Sequence, residues 1–247
     1  MPTRRAGYLG AMNTSSLVPA LAGAMVLWLA GFKALTVTGA VTSEALRRAM
    51  PQLQDGDLIF IRQANPIFLR VAQTTGSWET HVGILFSGPN GTWQVAESRF
   101  PFSTFSPLEK FAARSEHGRF YISRYHTELS PEEKGQLRRA ARARMGRWYD
   151  LGFNYDSRRL YCSKFVFEVY REGVGVQVGN LTTFRQLLAD NPQAPLGFWR
   201  LWFFGRIPWD RQCVTTTSEL KSPQFRRVCD SSKPGGAKAP PRRGNTE

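Results

Sequence analysis

The stretch Tyr161-Cys162-Ser163-Lys164-Phe165-Val166-Phe167-Glu168-Val169-Tyr170 constrains the fold more than any other. Cys162, Phe165, Val166, Val169 and Tyr170 recur at i, i+3, i+4, i+7 and i+8, a helix with one apolar stripe that a second layer must cover. Gly173, followed by Gly175 and Gly179, is the expected stop. The helix opens on a thiol. There the positive end of the helix dipole and unpaired N–H groups favour thiolate, the nucleophile of cysteine catalysis. A buried structural cysteine is the competing reading, because cysteine is among the commonest core residues.

The layer to cover that stripe reads as a sheet. Gly56-Asp57-Leu58-Ile59-Phe60-Ile61-Arg62 is a turn feeding a buried strand, and Thr80 to Phe86 is a second apolar strand. Gly88-Pro89-Asn90-Gly91 is hairpin punctuation, so Thr92 to Ser98 is the partner strand; Arg119 to Tyr125 is another. Helices are expected from Ser43 to Met50, after Ser106-Pro107-Leu108-Glu109, from Ser130 with a capping box to Glu133, and over Thr182 to Ala189. A hairpin with interleaved helices and no repeat predicts an α+β fold.

With 247 residues, 42% of them hydrophobic, the body is no disordered chain. The net charge of +14 points to anionic surroundings such as phospholipid or wall polymer. No nucleic-acid-binding motif accompanies it, so the expectation is no nucleic acid, with anionic lipid a possible partner. Residues 1–42 read as a signal peptide or signal anchor. Arg4 and Arg5 precede an apolar run from Leu17 to Phe32, broken by Lys33 and resumed to Val41. Either way the body, residues 43–230, is expected outside the cytoplasm. Residues 231–247 read as a disordered basic tail. Cys213 and Cys229 are candidates for a disulfide in an oxidising compartment, which would leave Cys162 as the odd thiol.

A nucleophilic cysteine needs a base and a group to orient that base. Of the three histidines, His117 and His126 sit in turns, while His81 begins a strong strand. Pairing centred on the Gly88–Gly91 turn sets Glu97 opposite His81, within side-chain reach. The competing reading is a surface His–Glu pair of little energetic worth. Cys162, His81 and Glu97 are also formally zinc ligands, but no pair has the tight spacing of common zinc sites, so neither metal nor cofactor is expected.

Gly56-Asp57-Leu58-Ile59-Phe60, Thr80-His81-Val82-Gly83-Ile84, Val95-Ala96-Glu97-Ser98, Gly146-Arg147-Trp148-Tyr149-Asp150 and Tyr161-Cys162-Ser163 resemble, in order, the motifs of the circularly permuted papain-like enzymes. The likeness is to the bacterial YiiX/YebB-like branch of the NlpC-type cysteine peptidase superfamily, related to lecithin retinol acyltransferase. It covers roughly residues 50–225, including Ile207-Pro208 and Ser222-Pro223. It implies an antiparallel sheet packed against the helix that carries the cysteine, with Cys162 as nucleophile, His81 as general base and Glu97 as its orienter. Tyr161 would help line the oxyanion site. Lys164 and Phe165 depart from the family's usual acid and aliphatic residue, and Lys164 would add positive charge near the sulfur and the substrate. Asp57 is expected to fix the Gly56 turn.

The function implied is a cysteine hydrolase of an amide, ester or thioester in the bacterial cell envelope, anchored in the inner membrane with its body in the periplasm, or secreted. NlpC-type relatives suggest a wall-peptide substrate; acyltransferase relatives suggest an acylated lipid or lipoprotein. The interleaved aromatics and arginines of Gly197 to Arg206 favour the lipid, since such residues suit a bilayer interface. The alternative is a non-catalytic module that holds a lipid or peptide on the same fold.

Overall fold

Leu58-Ile59-Phe60-Ile61 has no polar residue on either face, and such a strand is stable only where both sides of its sheet are covered. The computed structural model of the chain, which describes residues 39–232 and side chains from Glu44, meets that demand. Residues 1–38 of the expected signal or anchor, and nearly all of the expected tail, lie outside the described residues. The strands are Leu58–Ile61 (β1), His81–Ser87 (β2), Trp93–Ser98 (β3), Ser103–Pro107 (β4), Phe120–Tyr125 (β5), Leu181–Thr183 (β6), Gln212–Val214 (β7) and Phe225–Asp230 (β8). Six form one antiparallel sheet in the order β4-β3-β2-β1-β5-β8, and β6 pairs with β7 apart from it.

The helices are Gly39–Ala49 (α1), Pro66–Thr75 (α2), Leu108–Ala112 (α3), Pro131–Arg142 (α4), Cys162–Val174 (α5), Phe184–Asp190 (α6), Leu196–Trp202 (α7) and Thr216–Leu220 (α8). Leu58, Phe60, Val82 and Ile84 face α4 and α5, while Ile59, Ile61, Leu85 and Val95 face α1 and α3. A third cluster joins α6, α7 and β7 to Tyr149, Tyr161 and Phe167, with side chains of α2 against it.

The stripe read from the sequence is the buried face of α5: Phe165, Val166, Val169 and Tyr170 are fully enclosed, each worth about 1.5–3 kcal/mol of transfer free energy. Gly175 at φ 69°, not Gly173, caps this helix. Gly173 instead lets α4 approach, since a Cβ there would lie 2.8 Å from the Leu137 Cα. The Ser130–Glu133 capping box on α4 forms both bonds. Arg138 on α4 pairs with Asp55, and Arg144, just beyond the helix, with Glu168 and Glu172.

Some expectations shift. The first helix starts at Gly39 rather than Ser43. Ser106 ends up in β4 instead of capping α3, because its hydroxyl is drawn to Glu97. Cys213 and Cys229 are both free, on β7 and β8 of different sheets, so the expected disulfide is absent. Asp57 does hold its turn, accepting from the Gln54 N–H at 2.9 Å and pairing with Arg124. Among the described residues no helix is long and apolar enough to cross a membrane.

Candidate active site

Two bonds fix the start of β2. Thr80 N–H donates to the Ile61 carbonyl at 3.0 Å, and the Thr80 hydroxyl accepts from Gln63 N–H at 2.8 Å. His81 follows at once. The turn from Pro89 to Gly91, with Asn90 at φ 56°, sets the β2–β3 register as Ile84 opposite Ala96. Continuing that register puts Gly83, not His81, opposite Glu97. His81 and Glu97 are therefore diagonal neighbours on one face, still within reach of each other.

Gly83 leaves the space for this. A Cβ there would fall 2.3 Å from Val95 Cγ1 and 3.0 Å from the Ala96 carbonyl oxygen. Across the glycine, His81 Nε2 lies 2.6 Å from Glu97 Oε2. The other carboxylate oxygen accepts from Arg114 and from the Ser106 hydroxyl, each at 2.6 Å. Burial pushes the Glu97 carboxyl up, but the bonds from His81, Arg114 and Ser106 outweigh it and hold its pKa down at about 2. Burial lowers the His81 pKa against the pull of Glu97, so the ring is neutral at neutral pH. An ionised carboxylate can only accept, so the His81 proton sits on Nε2 and Nδ1 carries a lone pair. Nδ1 is buried and makes no hydrogen bond among the described residues. Phe111 of α3 stacks on the ring at 5.4 Å between centroids.

Cys162 occupies the first position of α5, after an N-cap residue, Tyr161, whose side chain does not cap. The Tyr161 hydroxyl instead accepts from Val214 N–H at 3.0 Å, and the Ser163 hydroxyl donates to the Val214 carbonyl at 2.9 Å, so β7 is clipped to the helix mouth. The sulfur lies against the backbone N–H of Val82, the residue after His81. Cys162 thus reaches the start of β2 from the α5 side, packed with Val82, while the imidazole projects to the α3 side. The structure joins His81 to Glu97 directly and brings Cys162 to the same strand end without a hydrogen bond to the ring.

The thiol is not acidic. Burial pushes Cys162 up to about 12 and Glu219 adds to the rise, against the N–H groups of Ser163 and Val82 and the Tyr149 hydroxyl. Desolvation outweighs the helix terminus here. Lys164 supplies none of the expected charge to the sulfur: its Nζ is bonded to the Ser157 and Arg159 carbonyls and lies 3.7 Å from Glu168. It does not line the cleft described below, whereas Tyr161 does.

Three residues escaped sequence reasoning. The buried Tyr149 hydroxyl lies beside the Cys162 sulfur; its motif Trp148-Tyr149-Asp150 was visible, its role was not. Arg114 follows α3, and nothing in the sequence tied it to Glu97. Glu219 on α8 is fully buried, and neither oxygen is hydrogen-bonded among the described residues; burial raises its pKa well above the ordinary glutamate value, and Glu79 adds to this.

Cys162 opens on a cleft walled by Phe68, Phe153, Phe184, Leu187 and Trp199, with Tyr149 beside the thiol. Trp199 Nε1 donates to Thr74 Oγ1 at 2.7 Å, tying α7 to α2 at the cleft wall.

Residues 52–229 match the model of the family described as permuted papain-like amidase enzyme, YaeF/YiiX, C92 family. The chain belongs to that family. This permuted papain-like amidase is a cysteine hydrolase, with the histidine strand ahead of the cysteine helix in the chain. It is similar to the uncharacterised protein YiiX of Escherichia coli strain K12, 27% identical over 177 residues, which span 72% of this chain and 86% of that one. It is also similar to the crystal structure of metalloprotein YiiX from Escherichia coli O157:H7. That match has a TM-score of 0.68 at 26% identity and covers 72% of this chain and 98% of the other. The α+β sheet packed against the cysteine helix is the permuted papain-like fold.

Proposed function

We propose that this amidase transfers an apolar acyl group from an amide, ester or thioester to water, with Cys162 as nucleophile, His81 as base and Glu97 as the residue that orients His81. The observation that carries the reading is that the Cys162 thiol opens into an aromatic and aliphatic cleft rather than a polar groove. An apolar acyl chain fits such walls, where a polar wall peptide would leave its amides unpaired. The acylated-lipid substrate class is therefore favoured over the wall-peptide class.

The chemistry follows from the groups present. This mechanism requires the Sγ proton to pass to His81 Nδ1, whose lone pair is free because Nε2 holds the proton shared with Glu97; the resting chain holds thiol and ring on opposite sides of the start of β2, so substrate binding has to bring them together. Contacts of this kind are often long in resting sites and tighten when substrate binds. The sulfur adds to the acyl carbonyl, and the developing oxyanion is met by donors at the helix mouth, where the Tyr149 hydroxyl and the first-turn N–H groups lie. The leaving amine, alcohol or thiol takes the imidazolium proton, giving a thioester on Cys162. Water then attacks it with His81 as base, the carboxylic acid departs and the thiol is restored. Glu97, held ionised by Arg114 and Ser106, steadies the imidazolium in both halves.

The solved relative is named a metalloprotein. Among the described residues of this chain no three His, Cys, Asp or Glu side chains converge as a donor set.

The test is turnover of acyl esters of increasing chain length by wild type, Cys162→Ala and Leu187→Trp. Cys162→Ala should lose turnover and keep the fold. Leu187→Trp should raise KM for long chains and spare short ones. Equal activity of Cys162→Ala and wild type would remove the mechanism, and cleavage of wall peptides in preference to acyl esters would remove the substrate class.

A further inference from the structure

The helix that walls the cleft has a second face. Inward, Trp199 of α7 is almost fully buried and stacks on Phe203, which packs on Phe184. Outward, Leu201 is 79% exposed, Phe204 85% and Leu196 40%, with Trp209 partly exposed nearby in sequence. Phe204 has φ 50°, a left-handed conformation that a bulky side chain rarely adopts, and its ring stands in solvent. Two bonds hold this face in place: the buried one from Trp199 Nε1 to Thr74 Oγ1, and a partly buried one from Trp202 Nε1 to the Leu151 carbonyl at 3.0 Å. Exposed apolar side chains on a rigid mount are the mark of a docking surface rather than of a loose loop.

Charge identifies the partner. Arg200 and Arg206 are exposed within the same segment and form no ion pair among the described residues. Aromatic and aliphatic side chains interleaved with unpaired arginines complement the boundary between acyl chains and anionic headgroups. We infer that α7 and the turn that follows it insert into the interface of an anionic bilayer, with Leu196, Leu201 and Phe204 below the headgroups and Arg200 and Arg206 among them. Docking stands on these exposed residues; its use, delivery of a lipid acyl chain to the cleft on the inner face of the same helix, rests on the acyl-hydrolase reading above.

The experiment keeps the full chain. A nitroxide is placed at Leu201→Cys, where it reacts ahead of the buried Cys162 and Cys213 and the half-buried Cys229. Collision of the label with oxygen and with a water-soluble nickel chelate is measured in buffer, with phosphatidylcholine vesicles, and with vesicles containing phosphatidylglycerol. The expected result is water contact in buffer and a switch to oxygen-dominated collisions on the anionic vesicles, weakened by high salt. A label still open to the chelate on anionic vesicles overturns the proposal. So does a label already shielded in buffer, which would mean that another part of the chain or a second copy covers the face, and so does equal insertion into both vesicle types. In parallel, Leu201→Asp with Phe204→Asp should cut hydrolysis of vesicle-borne ester by about tenfold per residue and leave a soluble short-chain ester unchanged. Insertion with a Cys162→Ala enzyme as active as wild type would keep the docking and sink the hydrolase; a soluble-ester hydrolase with a water-exposed label would do the reverse.

Discussion

His81 and Glu97 meet at 2.6 Å across a glycine, as diagonal rather than opposite residues of β2 and β3. The carboxylate is thereby placed to hold one ring tautomer, with Arg114 and Ser106 fixing its other oxygen. Glu97→Gln should lower kcat/KM by up to about 10⁴-fold, the loss seen when an amide replaces the orienting carboxylate of a catalytic histidine. Steady-state kinetics with a soluble acyl ester measures it, and a change of less than tenfold would show that Glu97 does not act on His81.

The same carboxylate makes stability depend on acid. Its pKa is 4.5 as a free side chain and about 2 in the fold, so the contribution is complete above pH 4.5 and is lost as pH falls towards 2. The gap between wild type and Glu97→Gln should be about 3 kcal/mol near neutrality and close below pH 4.5. Urea denaturation of both proteins across that range reads it. The difference is the right measure, because Asp57 and Glu219, whose pKa values are raised, bend each single curve the other way.

The Cys162 thiol, pushed up to about 12, should be sluggish towards iodoacetamide at pH 7 and react faster as pH rises past 9. Mass spectrometry of the modified peptide, with Cys162→Ala as control, follows it. Glu219→Gln should make the thiol react faster at high pH, where a charged Glu219 would oppose the thiolate. Rapid modification of wild type below pH 7 would contradict the burial argument.

Gly83→Ala should destabilise the fold by about 1–3 kcal/mol and disturb the pair beside it, since the new methyl meets Val95 Cγ1 and the Ala96 carbonyl. Thermal unfolding gives the first effect, and the pH profile of turnover gives the second.

Much of this was legible in the residues. The stripe of α5, the hairpin and the Ser130–Glu133 box each rest on local periodicity or capping, which sequence carries directly. The parity that puts His81 and Glu97 on one face was legible too. The register was not, because Asn90 takes a left-handed conformation within the turn and shifts the pairing. Ser106 read as a cap, but tertiary contact with Glu97 overrode the local preference. The helix dipole suggested an acidic thiol, and only coordinates reveal how much water the surrounding core removes from it. Glu219 and Arg114 had no signal at all, since what matters is which distant carboxylate each approaches. Lys164 looked close to the sulfur in sequence, yet its long stem carries the charge to the carbonyls of the 157–159 loop.

The bond from Trp199 to Thr74 rivets together two of the helices that line the cleft. Widening the cleft at this point would have to prise apart a shielded indole–hydroxyl contact, so a broader chain meets resistance there. Acyl length and acyl branching become separable preferences. A Thr74→Val enzyme, with the rivet drawn, is the form in which a broader chain would first find room.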